Sequence, residues 1–173
     1  MEHAVEGVIK IVDIINDKSM KKTLLLVLIS VLFIACQKGV VFSKFQSLPK
    51  QGWAADSVLT FIPNITDTIQ GYDVQVIVRH TDKYTYQNLW LFVDVRQGSN
   101  LLHRDTIEGM LANERGEWNG KGRRTHELPL LYLENIKFPY SGDYEVTIQQ
   151  GMREDILPGI TDIGLKIIKH GQK

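Results

Sequence analysis

Alternation with a period of two recurs along this chain and limits its fold more than any other feature. Successive side chains of a strand point to opposite faces, so such segments bury one face and leave the other wet. In residues 72–79, Tyr72, Val74, Val76 and Val78 share one face and Asp73, Gln75 and Arg79 the other; Ile77 breaks the pattern. Leu89, Leu91, Val93 and Val95 repeat it against Asp94 and Arg96. Tyr144, Val146 and Ile148 oppose Asp143, Glu145, Thr147 and Gln149, and Ile163, Leu165 and Ile167 oppose Gly164 and Lys166. Shorter strands are expected at residues 40–45, 57–61, 101–108 and 130–133, with Pro, Gly, Asn and Ser punctuation between them. No amphipathic crossover helix separates the strands after residue 36, which disfavours a parallel sheet. The expectation is an all-β fold: an antiparallel β-sandwich, jelly-roll-like, of about eight strands. One helical turn is expected at residues 108–114. A length of 173 residues suits one domain, placed at residues 41–173.

A leader precedes that domain. Met20, Lys21 and Lys22 are followed by an apolar run over residues 23–35 and then by Cys36, the single cysteine. This is the layout of a cleaved secretory signal, assigned to residues 20–35. A spanning helix needs about 20 apolar residues to cross a bilayer core of about 30 Å, and this run stops short of that. Ile34, Ala35 and Cys36 resemble the lipobox of bacterial lipoproteins, with Phe33 where most lipoboxes carry Leu. The resemblance implies that Cys36 is acylated, and several buried acyl methylenes at about 0.8 kcal/mol each make a durable membrane anchor. Residues 36–40 then form the lipidated cysteine and a short tether. Gln37, in place of an aspartate, favours the outer membrane, and the absence of an acidic run in the tether favours a periplasm-facing position. Residues 1–19 carry Glu2, Glu6, Asp13 and Asp17, out of character ahead of a signal, and are read as an over-extended gene start.

The mature chain resembles the gliding motility lipoprotein GldH family of the Bacteroidetes. The residues that carry this are Trp53 with Phe61; Arg79 followed by Tyr84, Tyr86 and residues 88–91 (NLWL); residues 105–108 (DTIE) and 116–122 (GEWNGKG); Phe138 with Gly142 and Tyr144; and Met152-Arg153 before residues 157–160 (LPGI). The resemblance implies a lipid-anchored cell-envelope protein that supports the gliding or related outer-membrane machinery, with protein partners in an envelope assembly and no enzymatic activity.

The residues themselves offer little catalytic chemistry. Lys plus Arg and Asp plus Glu are 20 each, so no basic field attracts a phosphate backbone, and nucleic acid is not an expected partner. No zincin, Walker, nucleophile-elbow or dinucleotide motif occurs, the histidines are scattered, and no cofactor or metal is expected. Asp105 and Glu108 could be offered as a glycosidase pair, but residues three apart on a strand face opposite sides. Tyr84, Tyr86 and Trp118 stand in polar, turn-rich surroundings and form the candidate interaction surface. There they either close the sandwich end or stack on a sugar, which leaves a carbohydrate- or peptidoglycan-binding module as the alternative function. Trp53 and Trp90 are assigned to packing, although Trp90 alternates against Leu89 and Leu91. Ser57, Thr68 and Thr106 follow aspartates in an Asp-Ser/Thr-apolar pattern that resembles an O-glycosylation motif of exported Bacteroidetes proteins; Thr68, near a turn, is expected to be the most accessible.

Overall fold

A computed structural model describes residues 39–172; the leader and Cys36 lie outside the described residues. The strands are β1 (Val40–Ser47), β2 (Trp53–Ala54), β3 (Leu59–Phe61), β4 (Asn64–Ile65), β5 (Tyr72–His80), β6 (Asn88–Gln97), β7 (Asn100–Met110), β8 (His126–Ile136), β9 (Gly142–Asp143), β10 (Glu145–Gln150), β11 (Ile156–Leu157) and β12 (Ile160–Lys169). Among the described residues there is no helix. Two antiparallel four-stranded sheets run β1-β12-β5-β8 and β3-β10-β6-β7. Counting only these eight strands in chain order, one sheet reads first, eighth, third, sixth and the other second, seventh, fourth, fifth. Two nested Greek keys produce that interleaving, so the sandwich is a jelly roll. The short pairs β2-β11 and β4-β9 lie where the chain passes from one sheet to the other.

Period-two segments form the inner faces. Val74, Val76 and Val78 from β5, with Ile163, Leu165 and Ile167 from β12, face Leu89, Leu91 and Val93 from β6 and Val146 and Ile148 from β10. Ile77, the break in the pattern, is buried on the outer side. Register puts it beside Gly164 of β12, and the Phe45 ring lies over that glycine. The Arg79 guanidinium sits 3.9 Å from the Phe45 ring centroid, and its Nε donates to Glu127 at 2.7 Å. Trp53 is wholly buried, as expected of a packing residue.

The helical turn expected at residues 108–114 does not form. Glu108 to Met110 complete β7, and the N–H groups of Leu111 and Ala112 both donate to the Gln87 carbonyl at 2.7 and 3.0 Å. Pairing with β6 outweighs the weak helical preference of this stretch. The chain then turns on Asn113, whose side-chain oxygen accepts the N–H groups of Arg115 and Glu117, with Gly116 at φ 78°.

The two ends of the sandwich differ. The end where Gly39 leads into β1 is closed by Tyr72, Phe138 and Tyr144, stacked edge to face at centroid distances of 5.5 and 4.8 Å. At the opposite end, long loops (48–58, 81–87, 111–125 and 151–159) cover the last residues of β5 and the first of β8.

Candidate functional site

The opposite end gathers most of the aromatic residues singled out from the sequence. His80, the last residue of β5, is fully buried. Trp118 stands on it edge to face at 4.5 Å, and the His126 ring lies 5.3 Å away. Asp82 ties the group together. One carboxylate oxygen accepts the Trp118 indole N–H at 3.0 Å and bonds His126 Nε2 at 2.9 Å. Tyr84 is buried beside His80 and donates its hydroxyl to the Asn88 carbonyl at 2.6 Å. Tyr86 packs against Tyr84 and donates to Glu154 at 2.6 Å. Gly159, at φ 87°, allows this closure: the backbone of Tyr84 passes so near that no side chain would fit there, and the Gly159 carbonyl accepts the Thr81 N–H at 2.8 Å.

The electrostatics are those of a closed structure. Burial pushes the His80 pKa down, so the ring is held neutral, and its Nε2 has no hydrogen-bond partner. The bonds from His126 and Trp118 hold the Asp82 carboxyl below its usual range. Burial raises the Tyr84 phenol, and the hydrogen bond to Glu154 raises that of Tyr86. Asp82, Tyr84, Tyr86, Trp118 and His126 all bond a neighbour, and Tyr84 in particular is closed off from solvent. Tyr86 and Trp118 are half-buried. Among the described residues no group of His, Asp, Glu or Cys is arranged to hold a metal ion.

A second surface was not singled out from the sequence. Trp90 and Phe92, consecutive outward positions of β6, are 37% and 47% exposed on the outer face of the β3-β10-β6-β7 sheet. Trp90 is therefore not a core residue, as its alternation against Leu89 and Leu91 signalled. Thr106 and Gln149 lie across from Phe92 on the two neighbouring strands, and Glu108, bonded to Asn88, lies across from Trp90. A side chain at Gly151 would meet Phe92 Cζ at 3.1 Å and Trp90 Cβ at 3.4 Å, so the Phe92 ring leans over a bare backbone. Asp105 and Glu108 diverge as strand geometry demands, Asp105 turning to His103 at 3.5 Å and Glu108 to Asn88. Of the hydroxyls in the Asp-Ser/Thr-apolar pattern, Thr106 is exposed, whereas Ser57 and Thr68 are half-buried. Thr68 is thus not the most accessible, because its loop folds back on Asp67.

Fold and surfaces together define a jelly-roll module with one end sealed by aromatic and histidine packing and a pair of rings displayed on a sheet face. The GldH lipoprotein family matches residues 40–167, and the chain belongs to that family. It is 35% identical over 147 residues to the gliding motility lipoprotein GldH homolog of Christiangramia forsetii, covering 80% of this chain and 90% of that one. It is 34% identical over 155 residues to gliding motility lipoprotein GldH of Flavobacterium johnsoniae, covering 85% and 96%. Among solved structures, a family GH115 4-O-methyl-α-glucuronidase aligns with a TM-score of 0.40 at 12% identity, over 76% of this chain and 18% of the enzyme. An exo-β-1,3-galactanase from Phanerochaete chrysosporium aligns with a TM-score of 0.36 at 14% identity, over 75% and 26%. The chain spans only about a fifth to a quarter of these enzymes, and likeness at this level carries no functional weight.

Proposed function

We propose that this protein is a non-enzymatic, lipid-anchored component of the outer membrane that supports the gliding motility or related envelope machinery, facing the periplasm. The observation that carries the reading is the family match over nearly the whole sandwich, with relatives named as gliding motility lipoproteins. Cys36, at the end of an apolar leader, supplies the thiol for acylation. A non-enzymatic role is supported by the use made of Asp82, His126, Tyr84 and Tyr86: Asp82 bonds His126, the Tyr84 hydroxyl donates to the backbone and that of Tyr86 to Glu154. Fractionation of a Cys36→Ser variant tests the anchor: the variant is expected in the soluble fraction, and tight membrane retention refutes the reading. Cross-linking in intact cells tests the assembly, with capture of envelope proteins expected and a monomer without partners counting against it.

The Trp90 and Phe92 pair favours a second reading, a glycan-binding face. The exposed Trp90 and the Phe92 ring, which leans over bare backbone between Thr106 and Gln149, offer apolar surface with hydrogen-bonding groups beside it, the combination that a sugar ring recognises. This shifts the recognition surface from Tyr84, Tyr86 and Trp118 to the sheet. Retention on insoluble peptidoglycan that is lost in Trp90→Ala and Phe92→Ala supports it; no retention of the unaltered protein refutes it.

A further inference from the structure

The end of the sandwich at which Gly39 enters displays the most exposed apolar side chains. Two of the loops that cap it, residues 66–71 and 137–141, each hold one large apolar or amphipathic side chain out into solvent. Ile69 is 83% exposed and Tyr140 61%, the two most exposed large hydrophobic side chains among the described residues. Neither exposure comes from a slack loop. The Asp67 carboxylate accepts the N–H groups of Ile69 and Gln70 at 2.9 and 3.2 Å, and the Asp67 carbonyl accepts the Tyr72 hydroxyl at 2.6 Å. In the other loop the Tyr144 hydroxyl donates to the Tyr140 carbonyl at 2.7 Å and accepts the Tyr140 N–H at 3.2 Å. Tyr72 and Tyr144 are core residues, so both tips are braced from inside by the ring stack that closes this end. Side chains so held present apolar surface that the fold itself leaves uncovered.

Charge at this end is modest and mixed, with Lys169 and His170 of the last strand and turn beside the two loops. The capping loops here carry Asp67, whose carboxylate is occupied by backbone N–H groups, and Lys137. The loops at the far end carry Lys83, Glu114, Arg115, Lys121, Arg123 and Arg124, among others. Chain length adds a constraint: from Cys36 to Gly39 the backbone reaches about 11 Å at full extension. An acyl group on Cys36 therefore keeps this end of the sandwich at the bilayer surface.

We propose that Ile69 and Tyr140 rest in the headgroup region of the bilayer as a second contact beside the acyl chains, fixing the sandwich upright with the loops at residues 81–87 and 111–125 directed away from the membrane. Ile brings apolar area and Tyr the amphipathic ring that favours a membrane–water interface. The inference rests on the lipid-anchor reading and adds orientation to it.

Hydrogen exchange read by mass spectrometry tests it, with the full acylated protein reconstituted in vesicles of phosphatidylethanolamine and phosphatidylglycerol and the Cys36→Ser protein in solution as reference. Peptides spanning residues 66–71 and 137–141 are expected to exchange several-fold more slowly on vesicles, with residues 111–125 unchanged. A double variant, Ile69→Asp with Tyr140→Asp, is expected to sediment with vesicles as before while losing that slowing. Equal exchange in both states, or slowing at residues 111–125 instead, in protein that still sediments overturns the orientation and leaves the anchor standing. Protein that carries no acyl group on its Cys36 peptide and stays in the supernatant overturns both, and the peptide mass tells the two failures apart.

Discussion

Gly164 sits mid-strand in β12 with an extended backbone, so propensity alone would welcome alanine there. Replacing glycine where no strain results gains about 0.4–1 kcal/mol through the unfolded chain. Packing reverses the sign. The added Cβ would lie 2.6, 2.8 and 3.0 Å from Cε1, Cδ1 and Cζ of Phe45, well inside contact distance. The ring cannot lift freely, since Arg79 stacks on it at 3.9 Å and is itself held by Glu127 at 2.7 Å. Overpacking of this kind costs about 1–3 kcal/mol, leaving Gly164→Ala destabilised by about 1–2 kcal/mol. Urea unfolding with an unchanged slope reads that loss as a lower midpoint. In a Phe45→Ala background the obstacle is gone, and the same substitution becomes neutral or mildly stabilising, so the double-mutant cycle returns a coupling of about 1–3 kcal/mol. A stabilising Gly164→Ala with Phe45 in place, or an equal cost in both backgrounds, would refute the packing account.

Acid sensitivity follows from His80. Its folded pKa lies below the unfolded value of about 6.5. The unfolded chain thus takes up a proton first, and this contribution to stability is full above about pH 6.5 and falls as pH drops through the window beneath it. Urea midpoints at about pH 7.5 and 5.5 should fall accordingly, and His80→Asn should flatten the slope; an unchanged slope contradicts the assignment. Tyr132 offers a gain instead. Its hydroxyl is buried between the sheets with no hydrogen-bond partner, in a cavity lined by Val74, Leu133 and Val146. Tyr132→Phe relieves that desolvation and raises stability by about 1 kcal/mol, whereas a loss in the same urea titration would mean that the hydroxyl has a partner.

Much of this molecule is legible in order along the chain. Alternation in residues 72–79, 89–96, 144–149 and 163–167 set the strands and chose their buried faces, because a strand's two faces are fixed by parity alone. Parity also placed Trp90 and Phe92 on the outward face of their strand. The expectation of a leader ending at Cys36 rests on no fold at all, since a signal is a matter of local composition. Only the tertiary structure decided which rings are shown and which are hidden. Tyr84 disappears because a carbonyl at Asn88 receives its hydroxyl and Gly159 lets the loop close. Phe92 stays exposed because the neighbouring backbone at Gly151 has no side chain to cover it. The pairing of Ile69 and Tyr140 on one braced end is likewise invisible in sequence, because jelly-roll crossings bring loops far apart in the chain, such as 66–71 and 137–141, to one end of the sandwich.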